Sequence, residues 1–201
     1  MAASAIASAT EFFDTRRSRP VEWRKAQLEK LDGLLRDNAM VICKAVAKDL
    51  GRHDFTTLGG DVLIVLGEIA NVLSNVETWA ADEPVEAANG KAFVRKVPKG
   101  PALVIGAYNF PIQLTLSPVV AALSAGCSVV VKPSELTPTC AATIDALLSK
   151  LEGVYVVQGG PETTGALLDS PQWGHVFYVR VHFSWLPGAR PPALTRMRAR
   201  L

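Results

Sequence analysis

Residues 102–135, "ALVIGAYNFPIQLTLSPVVAALSAGCSVVVKPSE", decide the fold of this chain. The opening run, "ALVIGA", reads as a buried strand. "SPVVAALSAG" reads as a helix, with Ser117 as N-cap and Pro118 at the first helical position, where a missing N–H loses no intrahelical partner. Gly126 stands where a C-terminal cap belongs, and "SVVVKP" is a second strand. The pattern continues downstream. A helix over 137–153 is opened by Thr137 and Pro138 and closed by Gly153; then come strand "VYVVQGG", helix "PETTGALLDS" and strand "HVFYV". Such alternation implies parallel strands joined by right-handed crossovers, an α/β fold with an open parallel sheet and flanking helices.

Upstream the period is helical. Over 12–50, Leu28, Leu31, Leu34 and Leu35, then Val41, Ile42, Ala45 and Val46 recur at helical spacing, and Gly51 closes the run as a cap. Over 61–80 a broad apolar face holds Val62, Val65, Leu66, Ile69, Val72, Leu73 and Val76. These helices are expected to cover the sheet. The stretch 81–101 is rich in turn formers, and its Asn89-Gly90 pair predicts an exposed hairpin.

Composition fits a soluble α/β chain: 49% hydrophobic and 20% charged over 201 residues. The stretch "PVVAALSAGCSVVV" is too short and too interrupted to span a bilayer. The N-terminus lacks a sustained apolar core and carries Glu11 and Asp14, so a cytoplasmic address is expected. Cys43, Cys127 and Cys140 form no CxxC pair and suit reduced thiols. His53, His175 and His182 show no ligand spacing, so no metal site is expected. The net charge of +2 arises in the last residues, where Arg180, Arg190, Arg196, Arg198 and Arg200 meet no acid; the main body is mildly acidic. Nothing in it suggests a nucleic-acid or membrane surface.

In open parallel sheets ligands bind at the carboxyl ends of strands. Here the polar and glycine-rich residues collect at three such ends: Gly106 to Asn109, Lys132 to Glu135, and Gln158 to Gly160. No GxGxxG follows the first strand, so the common dinucleotide fingerprint is absent. Taken alone, Asn109 reads as a turn residue and Lys132 with Glu135 as a solvated pair. Gly159 and Gly160 suit either a tight turn or a ligand site.

The paired "NFP" and "KPSE", with "VYVVQGGPETTGALL" and "HVFY" behind them, resemble the N-terminal half of the NAD(P)-binding domain of the aldehyde dehydrogenase superfamily, close to its fatty and aromatic aldehyde branch. The likeness runs from about Phe12 to Tyr178. It implies an incomplete Rossmann-like sheet: a helical region over 1–80 packing on the cofactor domain, a hairpin or connector of oligomerisation type over 81–101, and a partial NAD(P)-binding domain over 102–178. It also implies roles. Asn109 matches the family asparagine whose amide donates to an oxyanion, with Tyr108 and Pro111 stiffening its loop. Lys132 and Glu135 match the residues that grip the adenosine ribose. Ile105, Ala107, Tyr108 and Gly160 are carried over as lining the cofactor cleft. The substrate implied is an aldehyde, the cofactor NAD or NADP, and family members are homo-oligomers.

The family's "GQxC"-like nucleophile and "ELGGK"-like general-base motifs do not occur in these residues. The 179–201 segment departs from the family pattern and reads as translated intron or frameshifted sequence, with a basic binding tail as the rival. Three readings therefore stand: an aldehyde dehydrogenase represented by an N-terminal portion; a related acylating dehydrogenase or acid reductase; and a non-catalytic product that binds nucleotide weakly or pairs with full-length subunits. As written, the chain is expected not to oxidise aldehydes and to fold poorly, because strand "HVFYV" would present an unpaired edge.

Overall fold

The computed structural model describes residues 2–86 and 90–179. Asn89 of the hairpin signal and the arginine-rich tail beyond Val179 lie outside the described residues.

Helix begins earlier than the apolar spacing implies. Helix α1, Ala2–Asp14, is alanine-rich and buries Ala9 and Phe12. Helix α2, Val21–Asp37, buries Arg24, Leu28, Leu31 and Leu35, a stripe at three- and four-residue steps. Helix α3, Ala39–Leu50, ends on Gly51, whose left-handed φ of 65° lets its N–H reach the Ala47 carbonyl. A short α4, Asp54–Thr57, runs through a single π turn, Leu58–Val62, into α5, Leu63–Ala80. By length and composition alone the run Asp54–Ala80 could cross a membrane. Its stripe of Val65, Leu66, Ile69, Val72 and Val76 is instead buried in the main core, with α5 packed on α2 and α6 as a core helix would be. Strands β1, Glu83–Val85, and β2, Ala92–Val94, form an exposed antiparallel ribbon.

The sheet follows. Strand β3, Ala102–Ile105, leads through α6, Gln113–Ser124, to β4, Val129–Lys132. Helix α7, Pro138–Leu148, leads to β5, Val154–Val156, and α8, Pro161–Leu168, to β6, His175–Tyr178. The order is β5-β4-β3-β6 and every pairing is parallel. All of β3 and β4 is buried, so their branched side chains pack on both faces. On one face Val104, Val129, Val131 and Val154 join α2, α3, α5, α6 and α7 in the main core. On the other, Leu103, Ile105, Val130 and Val157 meet Ala9 of α1 and Leu167 of α8. Each such fully buried aliphatic side chain contributes about 1.5–3 kcal/mol of transfer free energy.

Two capping expectations fail. Helix α6 starts at Gln113, four residues ahead of Ser117, so Pro118 lies inside it. Ser117 caps nothing, and its buried hydroxyl has no hydrogen-bond partner among the described residues. The reason is tertiary: the first N–H of α6 is satisfied from elsewhere in the chain, by Asp61 Oδ1 at 3.0 Å from Gln113 N. Gly153 does not end α7, which stops at Leu148. Its φ of 75° belongs to the turn into β5, where an added Cβ would lie 2.6 Å from the Phe12 ring. Thr137 does occupy the N-cap position of α7, with Pro138 behind it, but its side chain makes no capping bond. That work falls to Asp49 of α3, which accepts the Cys140 N–H at 2.8 Å.

Candidate functional site

The chain runs from β3 outward through β4 to β5, then returns to pair β6 with the opposite side of β3. The strand order therefore reverses between β3 and β6, and in open α/β sheets the carboxyl ends beside such a reversal are where ligands bind. Ile105 lies level with Lys132 on one side and Tyr178 on the other. The next rung ties Gly106 N to the Lys132 carbonyl at 2.9 Å, and Val157 N bonds to the Val131 carbonyl at 2.8 Å. The three polar strand ends legible in the sequence are thus neighbours in space.

Gly106 is required by close approach. A Cβ there would lie 2.2 Å from Thr115 Oγ1, on the first turns of α6. Beyond it Ala107 is buried, whereas Tyr108, Asn109 and Phe110 are exposed and Pro111 and Ile112 return to the interior. Asn109 presents its side chain on this short exposed arc, and none of its side-chain atoms is hydrogen-bonded among the described residues. Ile105 sends its side chain into the apolar layer under α1 and α8.

Two residues that the sequence reading passed over hold this arc. Asp61, fully buried in the π turn, pairs through Oδ2 with Arg52 Nη1 at 2.6 Å while Oδ1 takes the Gln113 N–H. Arg52 Nη2 donates to the Asn109 carbonyl, and its guanidinium carbon lies 4.5 Å from the Phe110 ring centre. The available signal was a lone acid, Asp61, beside the apolar stripe of a helix and directly after Gly59-Gly60, where a helix interior tolerates irregular backbone.

At the end of β4, Lys132 is 2% exposed. Its ammonium donates to the Pro133 carbonyl at 3.0 Å and to Glu135 Oε2. Among the described residues one of its three protons has no acceptor, and Glu135, with 39% of its side chain exposed, uses only Oε2 in a side-chain hydrogen bond. Burial, the largest single influence, would raise the Glu135 carboxyl; the hydrogen bond from Lys132, a backbone hydrogen bond at Glu135 and the Lys132 charge together outweigh it and hold the group below the usual range, ready to accept from a hydroxyl. At the end of β5, Gly159 has φ of 152°, and a Cβ there would strike Thr163 Oγ1. Gly160 serves as N-cap of α8 at φ −92°, with nothing within 4 Å of its Cβ position, so it keeps that approach open rather than making the turn. Gln158 turns its amide to the Ala141 carbonyl at 3.1 Å.

The three cysteines sit in the interior. Cys43, Cys127 and Cys140 are unpaired and buried. Burial raises the Cys127 thiol, and Cys43 likewise, helped there by Asp54 and Asp61. Burial, then the neighbouring Asp49, pushes Cys140 up to about 12. Among the described residues no cluster of His, Cys, Asp or Glu could hold a metal ion.

A family model described as "Aldehyde dehydrogenase family" matches residues 1–179. Aldehyde dehydrogenase family 3 member B1 of Homo sapiens is 37% identical over 179 residues, covering 84% of this chain and 37% of the relative. The dimeric NADP-preferring aldehyde dehydrogenase of Mus musculus is 34% identical over 183 residues, covering 87% of this chain and 40% of the relative. Among solved structures, the substrate-bound AldH of Staphylococcus aureus superposes with a TM-score of 0.85 at 28% identity, covering 89% of this chain and 40% of that one. Succinic semialdehyde dehydrogenase of Streptococcus pyogenes, in complex with NADP+, shares the fold at a TM-score of 0.75 and 19% identity, covering 87% and 39%. The chain spans about two fifths of the length of the relatives it matches.

Proposed function

This chain belongs to the aldehyde dehydrogenase family, and from that premise we propose that its 102–178 segment supplies one half of a site oxidising aldehydes to carboxylic acids with NAD or NADP. The observation that carries the proposal is the meeting of the Asn109 arc with the Lys132–Glu135 pair at the strand reversal. The spare proton of Lys132 and the free oxygen of Glu135 fit the two hydroxyls of a ribose, one as donor and one as acceptor. Bound there, the nicotinamide nucleotide would supply the hydride acceptor. Asn109, exposed and with its side-chain amide unspent, is the donor for an oxyanion formed when a thiolate adds to the aldehyde carbonyl. Such a donor acts because it is aimed before the charge develops. Tyr108, Ala107 and Gly160 surround the same crevice in this proposal, with the Ile105 backbone at its floor and the Ile105 side chain in the apolar layer beneath.

The attacking thiolate and the water-activating carboxylate are not supplied by the described residues, whose cysteines are buried and hard to ionise. That burial also favours a second reading, in which this polypeptide binds nucleotide without turnover or pairs with a full-length subunit. Three unpaired thiols support a reducing, cytoplasmic setting. The test joins residues 1–179 to the remaining length of the Mus musculus NADP-preferring relative and compares Asn109→Ala with the parent hybrid. Loss of one oxyanion donor should lower kcat by about 10²- to 10³-fold while leaving the KM for nucleotide little changed. A loss below about tenfold would count against the oxyanion role.

A further inference from the structure

We infer that Arg52 and Asp61 form a clamp that positions Asn109, a role that rests on the proposed oxyanion function of that residue. The geometry is a bridge across one short arc. Asp61 holds the far end by accepting the Gln113 N–H through Oδ1 at 3.0 Å, and through Oδ2 it holds Arg52 Nη1 at 2.6 Å. Arg52 Nη2 takes the near end by donating to the Asn109 carbonyl, while the guanidinium carbon lies 4.5 Å from the Phe110 ring centre. One ion pair thus fixes the backbone on both sides of the exposed turn and leaves the Asn109 side chain free to face a ligand.

The burial pattern supports a purpose other than surface charge. The Asp61 side chain is fully buried and that of Arg52 is 17% exposed. A buried carboxylate is costly unless every oxygen is satisfied, and here both are. Asp61 is carried by a π turn, a distortion that re-aims side chains and recurs at functional sites. Arginine fits because its planar fork reaches two acceptors at fixed spacing, which a lysine ammonium on a flexible stem does not reproduce. A misplacement of a reacting group by about 1 Å can cost about 10²-fold in rate, so a loop whose backbone is tied at both ends has a direct catalytic consequence.

Two measurements test the clamp. In the 201-residue chain, Arg52→Gln should speed amide hydrogen exchange over residues 109–113 by about tenfold or more, with exchange in the 129–132 strand unchanged. Unaltered exchange in the arc overturns the clamp, whether or not any hybrid is active, and Asp61→Asn provides the same comparison should Arg52→Gln unfold. In the hybrid enzyme, Arg52→Gln should lower kcat about tenfold with nucleotide KM within about twofold, yet lower kcat less than about twofold when added to Asn109→Ala. Equal losses in both backgrounds would show a general structural role and overturn the positioning role. If Asn109→Ala alone leaves kcat intact, the oxyanion function fails instead, and the exchange measurement still decides the clamp.

Discussion

Replacing Asp49 with alanine should destabilise the chain by about 2 kcal/mol. Asp49 sits at the end of α3 and accepts the Cys140 N–H at 2.8 Å, with further bonding from Thr139, so it caps α7 from another helix. Thr137, at the N-cap position itself, makes no side-chain cap bond and cannot substitute. Loss of a capping acceptor costs about 1 kcal/mol, within roughly 0.5–2. Loss of a carboxylate at a helix N-terminus adds about 0.3–1 kcal/mol. For a domain of this size, each kcal/mol moves Tm by about 2–4 °C, so circular dichroism melts at pH 7 should show a drop of about 4–8 °C. Asp49→Asn keeps an acceptor oxygen and should lose about half as much. Burial would raise the Asp49 carboxyl, but the bonds from Cys140 and Thr139 outweigh it and hold the group below the ordinary aspartate range. With its folded value depressed, its stabilisation is complete above the unfolded value near about 3.9 and is lost as pH falls through the folded one. The gap between parent and Asp49→Ala should therefore narrow below about pH 4. A gap under about 0.5 kcal/mol at pH 7, or one that widens on acidification, would refute the capping role.

Gly106→Ala should cost about 1–3 kcal/mol in denaturant melts, because the new methyl falls 2.2 Å from the buried Thr115 Oγ1; adding Thr115→Ala, whose hydroxyl has no partner to orphan among the described residues, should restore most of it, and a strictly additive double variant would exclude the clash. The Cys140 thiol, raised from 9.0 to about 12 by burial and then Asp49, leaves stability intact below the unfolded value and erodes it at roughly 1 kcal/mol per pH unit between about pH 9 and 12. Cys140→Ala should flatten that alkaline decline by about one titrating group, and an unchanged slope would contradict the thiol's burial.

The alternation of strand and helix was legible because β3 and β4 are short branched runs buried on both faces, and Gly51 and Thr137-Pro138 mark true helix boundaries. The meeting of the polar strand ends was legible too, since residues at the ends of consecutive strands need only parallel topology to come together. What stayed hidden was every feature decided by a distant partner. The start of α6 at Gln113 depends on Asp61, so the local signal at Ser117 misled; the N-terminal cap of α7 comes from Asp49; and Gly153, read as the end of α7, serves the turn into β5 against the Phe12 ring. Arg52 carries no motif at all; its function exists only because the π turn swings Asp61 beneath the Asn109 arc. Helix α1 was visible only in part, because its alanines give little apolar periodicity.

The most direct test of the central claim is a ¹⁵N–¹H NMR titration of the 201-residue chain with NAD+ and NADP+, repeated with Lys132→Ala. Saturable shifts should gather at residues 105–109, 132–135 and 158–160, and Lys132→Ala should weaken binding by about tenfold or more, the loss of one charge-assisted hydrogen bond of about 1.5–3 kcal/mol. Shifts that map instead to the β1–β2 ribbon or the outer helices, or an affinity indifferent to Lys132, would contradict a nucleotide crevice at these strand ends.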